Sequence, residues 1–277
     1  MGIATTELSP IEQTAFLTEY ARALDSRWPR PILGDHLAYD VVGEIDYDFA
    51  GLGVQASVVC QTALRAKMLD ERVGAFIAKH PDAVVVDLGA GLDSGFYRVD
   101  PPETVDWYSI DLPAIIALRD RLLPSNRHSH SVPVSLADEH WPDTIPGNRP
   151  TMLIADGLFA FLSEPQIAGI FCRITDHFGS GELAFNDYGR IGRVSQLAVR
   201  VAPQKMFKDV GSHWGFAGFK DAHFPQTWNP RMTLVEEASL TDRPEVDLFP
   251  PWIRVATRLA GRTKSGARKA RILRYAF

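Results

Sequence analysis

The chain reads as an α/β protein built on a doubly wound, mostly parallel sheet. Two observations carry this. Short apolar runs alternate with amphipathic stretches through the middle of the sequence, and the first of those runs leads directly into a glycine loop. The run is Val84-Val85-Val86-Asp87-Leu88 and the loop is Gly89-Ala90-Gly91-Leu92-Asp93. Such a strand ends where a ligand must approach the backbone closely, because glycine alone has no Cβ to block it.

The elements follow in order. Residues 10–25 have the periodicity of an amphipathic helix, and the breakers Trp28-Pro29-Arg30-Pro31 follow it. A longer helix is predicted from about Leu52 to His80, with apolar residues at Val59, Leu64, Met68, Val73 and Phe76. Strands are expected at Ala83–Leu88, Val105–Ile110, His130–Ser135, Thr151–Asp156 and Glu182–Asp187. Helices at Leu112–Leu123 and Glu164–Phe178 lie between them. The last third breaks the rhythm. Residues 189–230 begin as a helix and end in an aromatic-rich stretch, after which Met232–Glu237 and Arg271–Phe277 read as two late strands. A helix opened by Pro250-Pro251 lies between those two. The expected organisation is one domain over residues 1–277. Residues 1–80 form an N-terminal helical cap, 81–188 a cofactor-binding core, 189–230 a lid or substrate region and 231–277 the final strands.

Composition narrows the classes. A hydrophobic content of 45% is ordinary for a globular protein, and a net charge of -5 makes no global case for nucleic acid or membrane. The stretch from Arg254 to Arg274 is basic and without acids, and reads as a solvated helix and loop. Cys60 and Cys172 are too few for a disulfide framework, and the N-terminus lacks the pattern of a signal peptide, so the expected location is the cytoplasm. His128, His130 and His140 do not have metal-ligand spacing, so no metal is expected.

The glycine loop selects a cofactor. A dinucleotide turn needs a third glycine, and Ser94 stands in its place. Asp87 and Asp93 flank the loop and would repel a pyrophosphate, whereas they suit an amine-bearing, cationic ligand such as S-adenosylmethionine. The second strand ends in Asp111, an acid placed to accept ribose hydroxyls; it also stands where it could N-cap the helix that begins Leu112-Pro113. Asp87 has an alternative role too, bracing the loop through backbone N–H groups.

The stretches GAGLDSGFYRVD (89–100), SIDLPAIIALRDRLLP (109–124), ADGLFAFL (155–162) and DYDF (46–49) together resemble the leucine carboxyl methyltransferase family. Within it they are most similar to the branch of tetracenomycin-type polyketide O-methyltransferases. The resemblance runs from about Pro31 to the end of the chain. It implies a class I, Rossmann-like methyltransferase sheet of seven strands, the last antiparallel, with S-adenosyl-L-methionine as cofactor and S-adenosyl-L-homocysteine as product. By this match Arg65 grips the methionine carboxylate and Gly89, Ala90 and Gly91 lie beside the methionine moiety. Asp111, with Leu112 adjoining it, binds the ribose, Ser135 and Leu136 line the adenine, and Asp156 stands near the ammonium. Two departures are visible. Gly95 occupies a position where the family usually has arginine, which leaves Asp93 or its neighbours short of a cationic partner, and Phe161 replaces a common tyrosine.

The implied reaction is methyl transfer to a carboxylate or hydroxyl oxygen of a small polyketide-like or aromatic molecule. Tyr188 and His213 are the candidate bases; His223 is a weaker one. Trp214, Phe216, Phe219, Phe224 and Trp228 offer either a wall for a flat acceptor or an ordinary core patch. The alternatives are a protein C-terminal leucine carboxyl methyltransferase, a nicotinamide-dependent oxidoreductase and a silent cofactor-binding protein. The oligomeric state is not legible.

Overall fold

The computed structural model describes residues 3–4, 9, 12–189 and 215–277. Three helices precede the sheet: α1 (Thr14–Ser26), α2 (His36–Glu44) and α3 (Ala56–Lys79). The sequence reading finds α1 and α3 and misses α2. Asp35 caps α2 by accepting the Ala38 N–H at 3.1 Å, the sign by which a short helix is recognised. α3 starts later than predicted. Ala50–Leu52 form a 3₁₀ turn that ends in Gly53 at φ +59°, and Gln55 is extended, so the helix begins only at Ala56.

Seven strands form the main sheet: β3 (Val84–Leu88), β4 (Asp106–Asp111), β5 (Ser129–Pro133), β6 (Thr151–Ala155), β7 (Gly181–Asp187), β8 (Thr233–Ser239) and β9 (Arg271–Ala276). A two-residue pair, β1 (Ile3–Ala4) and β2 (Ile45–Asp46), lies apart from them. The order is β5-β4-β3-β6-β7-β9-β8, with β9 antiparallel to both neighbours and every other pairing parallel. The chain therefore winds outward from β3 in one direction and from β6 in the other. Between those two strands the order reverses, and ligands bind at such a switch point, outside the carboxyl ends of the strands.

Alternation along each strand builds two cores. Val84, Val86, Leu153, Leu183, Phe185 and Leu273 point to the face covered by helix α6 (Glu164–His177). Val85, Met152, Ile154, Ala184 and Ile272 point to the face covered by α3 and by helix α8 (Pro251–Gly261). A strand buried on both faces is mostly apolar, which is why β6 and β3, Asp87 near its carboxyl end apart, read as hydrophobic runs. Short helices α4 (Gly95–Val99) and α5 (Pro113–Leu122) follow β3 and β4, and α7 (Pro225–Trp228) precedes β8.

The structure decides one open reading in the last third and corrects another. Phe216 and Phe219 are core residues, packed with Phe185, Trp228 and Tyr275, and do not face the main cleft. The stretch from Arg254 to Arg274 is not uniformly solvated either. Arg271 is 1% exposed and its Nε donates to Asp187 Oδ2 at 2.8 Å, while Arg274 pairs with Glu182 at 2.6 Å and Glu236 at 2.9 Å. The acids of β7 and β8 supply these partners from neighbouring strands, which a count along the sequence cannot show. The helix predicted at the start of residues 189–230, Trp214 and most of the proposed lid lie outside the described residues.

Candidate active site

A cleft of about 850 Å³ opens at the carboxyl ends of β3, β4, β6 and β7. Every residue predicted to bind the cofactor lines it, Arg65, Asp87, Gly89, Ala90, Gly91, Asp93, Asp111, Leu112, Ser135, Leu136 and Asp156, and so does the candidate base Tyr188. His213 lies outside the described residues. His223 is exposed beside Gln226 and does not face the cleft.

The floor is the loop after β3. Gly89 and Gly91 adopt φ +68° and +53°, which side-chain-bearing residues rarely do. A Cβ on Gly89 would come within 2.9 Å of Leu158 Cδ1, so this glycine also lets the loop after β6 close against it. Backbone nitrogens of Gly89 and Ala90 both donate to the Ile110 carbonyl, at 2.9 and 3.0 Å, which ties the loop to β4.

Asp111, at the tip of β4, accepts the Gly91 N–H on Oδ2 and the Leu112 N–H on Oδ1, each at 2.7 Å. Burial raises its carboxyl above the usual range, and those two hydrogen bonds offset only part of that rise. It is not the cap of α5. Leu112 occupies the N-cap position ahead of Pro113, so the carboxylate stands one residue outside the helix.

Arg65 reaches across from α3. Its Nη1 donates to the Tyr188 hydroxyl at 2.7 Å and its Nε lies 2.6 Å from Asp156 Oδ1, an ion pair whose angle falls short of a hydrogen bond. Burial pushes Asp156 up, and Arg65 opposes that. Asp87 differs from Asp156. Burial raises its carboxyl to about 8, with Asp93 adding to the effect, and among the described residues no hydrogen bond reaches it. It is an acid of the cleft wall with no cation bonded to it, 4% exposed, and it holds its proton at neutral pH in the ligand-free protein.

Asp93 overturns the expected shortage of partners. Its Oδ1 accepts from Arg98 Nη1 at 2.5 Å and its Oδ2 lies 3.1 Å from Arg22 Nη1. Burial works against the charge, but Arg22 and Arg98 outweigh it and hold Asp93 well below the usual carboxylate range. The position-95 arginine is not needed. A side chain at Gly95 would meet Trp107 Cζ2 at 3.2 Å, and Arg98 already reaches Asp93, Asp35 and Asp70. Asp93 is therefore committed within the protein rather than free for a ligand. Arg22 and Arg119, whose Nη1 donates to the Asp93 carbonyl at 2.5 Å, escape a reading based on glycine motifs because each acts across the fold.

Phe161, Leu162, Pro165 and Ile170 make the opposite wall apolar, with Gln61, Thr62 and Arg173 also reaching the cleft. Among the described residues, no group of three or more His, Cys, Asp or Glu side chains is arranged to hold a metal ion, and no helix is long and apolar enough to cross a membrane.

The cleft suits a nucleoside that carries a free amino acid group: glycines that keep Cβ atoms out, an acid at the tip of the second strand, and both a guanidinium and acidic side chains lining it. Comparison with known proteins agrees. Residues 15–175 match the model of the leucine carboxyl methyltransferase family. The chain belongs to that family. It is 35% identical over 241 residues to the tetracenomycin polyketide synthesis O-methyltransferase TcmP of Streptomyces glaucescens, covering 87% of each chain. An S-adenosyl-L-methionine-dependent methyltransferase of Gibberella zeae, dpfgK, is 28% identical over 226 residues, or 75% of each. Among solved structures, the plantazolicin methyltransferase BamL, in complex with a substrate analogue and S-adenosylhomocysteine, superposes with a TM-score of 0.51 at 11% identity, over 96% of this chain and 98% of that one. That likeness supports the class I methyltransferase fold. As a member of its family, this chain is an S-adenosylmethionine-dependent methyltransferase.

Proposed function

We propose that the enzyme methylates an oxygen of a small, apolar, polyketide-like or aromatic acceptor, and that it does so in the cytoplasm, where its two free thiols, Cys60 and Cys172, stay reduced. The observation that carries the reading is the meeting of Arg65, Asp156, the Gly89–Gly91 loop and Asp111 in one cleft at the sheet's switch point. The whole chain, from helical cap to last strand, acts as one methyltransferase unit in this reading.

S-adenosylmethionine, when bound, supplies a methyl group already activated by its sulfonium. The chain's residues bind and orient. Arg65 offers a planar fork to a carboxylate, which a lysine would not match. Asp87 and Asp156 supply negative charge for an ammonium, and Asp87 is the one with no competing cation bonded to it. Asp111 holds two backbone N–H groups while its outer face accepts the ribose hydroxyls. Ser135, Leu136 and Leu112 flank the base.

The acceptor lies against the apolar wall of Phe161, Leu162 and Ile170, which excludes water and sets its oxygen in line with the methyl carbon. A carboxylate acceptor, ionised near neutral pH, needs no base. A hydroxyl must lose its proton, and Tyr188 is the described residue of the cleft placed to assist, with its oxygen held by Arg65.

The resemblance to TcmP favours a small molecule over a protein C-terminus. The test is methyl transfer from labelled S-adenosylmethionine to a panel of aromatic acids and phenols, followed by mild alkali. Base-labile product identifies a methyl ester and base-stable product an ether. Label on a C-terminal leucine peptide and on none of the small molecules refutes the proposal.

A further inference from the structure

Helix α1 presents charge, not only apolar surface, to the protein interior. Glu19, Arg22 and Asp25 recur along it and are 0%, 2% and 0% exposed. Asp25 has a local task, accepting the backbone N–H groups of Ile32, Leu33 and Gly34 at 2.9–3.0 Å. Arg22 has none of that kind. It pairs with Glu19 on its own helix, lies 3.9 Å from Asp35, the cap of α2, and crosses to Asp93 at the end of the glycine loop, 3.1 Å away. Buried charges are costly, and an apolar side chain would attach a helix at least as well.

What α1 sits on is the cleft. Thr14, Ala15, Leu17, Thr18 and Arg22 line it, and Ala15 Cβ lies 3.4 Å from where a Gly91 Cβ would be. Asp93 is held on its other side by Arg98, and the loop carbonyls of Gly91 and Asp93 by Arg119 at 3.3 and 2.5 Å. The loop is thus fixed to the sheet side by two arginines and to α1 by a third.

Resting on the assignment of this cleft to S-adenosylmethionine, we infer that Arg22 is a positioning residue: through Asp93 it latches α1 over the glycine loop and makes that helix the outer wall of the cofactor site. It acts on retention of the cofactor rather than on the transfer step.

The test compares Arg22→Met, Arg22→Lys, Asp93→Asn and the Arg22→Met/Asp93→Asn pair in the full chain, with S-adenosylhomocysteine as the binding probe. Arg22→Met is expected to weaken binding by about tenfold or more, mainly through faster dissociation. At saturating S-adenosylmethionine, kcat stays within about twofold. Arg22→Lys recovers part of the affinity, and the double variant is little worse than either single one. Unchanged affinity in Arg22→Met, even with a lower Tm, overturns the latch. So do additive losses in the double variant, or a fall in kcat at unchanged affinity. Should Arg22→Met fail to fold, Arg22→Lys and Asp93→Asn are read by the same criteria. Failure of the parent chain itself to bind the probe would instead refute the cofactor assignment.

Discussion

Asp111 Oδ2 lies 2.7 Å from the backbone nitrogen of Gly91, 20 residues earlier in the chain. The acid at the tip of β4 therefore shapes the loop that follows β3, besides facing the cleft. One side chain joins the two halves of the site, and its loss should be felt in both.

Asp111→Ala removes two hydrogen bonds to an ionised acceptor, each worth about 1.5–3 kcal/mol in typical cases. S-adenosylhomocysteine affinity should fall by at least about tenfold. Asp111→Asn keeps an acceptor for one N–H and should fall between the parent and the alanine variant. Isothermal calorimetry reads both; affinity equal to the parent in the alanine variant would remove Asp111 from the ribose site.

Asp87 sets a pH dependence. Its carboxyl is raised by burial to about 8 in the folded protein, against an ordinary value near 4, so the folded state holds a proton that the unfolded chain has released. Stability of the ligand-free protein should therefore decline as pH rises from about 4 to about 8 through this group, and level off above. Glu19, raised to about 7, and Asp70, raised to about 6, contribute with the same sign. Asp87→Asn should raise Tm at pH 8, by roughly 2–4 °C per kcal/mol relieved, and the gain should shrink toward pH 4.

The same group links binding to protons. An ammonium beside Asp87 favours its charged form, so cofactor binding at pH 7 should expel a proton. Calorimetry of S-adenosylhomocysteine in buffers of different ionisation enthalpy measures this. Asp87→Asn should abolish the release and weaken binding.

Arg271 and Asp187 form a buried pair at 2.8 Å that holds the end of β7 to the start of β9. Arg271→Met leaves Asp187 buried without its main counter-charge and should cost about 3–5 kcal/mol of stability. Chemical denaturation checks this. Joint replacement by Arg271→Met and Asp187→Asn should recover part of the loss, because it removes the buried charge and keeps an amide oxygen for the Gly189 or Phe219 N–H group.

The sheet was largely legible because buried strands are apolar through most of their length, as Val84–Val86 are in β3, Met152–Ala155 in β6 and Leu183–Phe185 in β7. The glycine loop and Asp111 were legible because close approach and a strand-tip acid leave local patterns. α2 was missed: its cap, Asp35, is a single residue in a stretch without a long periodic run. The partners of Asp93 were missed for a different reason. Arg22 and Arg98 meet it only after α1 and α4 fold against the loop, and a motif that expects its cation at position 95 cannot anticipate a substitute 71 residues upstream of Asp93. Arg271 shows the same limit, since its acids come from other strands.

The central claim is that the loop after β3 and the acid after β4 hold an S-adenosyl cofactor. Calorimetric titration of the full chain with S-adenosylhomocysteine, and in parallel with NAD, tests it most directly. Saturable one-to-one binding of S-adenosylhomocysteine is expected, weakened in Asp111→Ala and Arg65→Lys, with no measurable heat from NAD. Tight binding of NAD with no response to S-adenosylhomocysteine would contradict it.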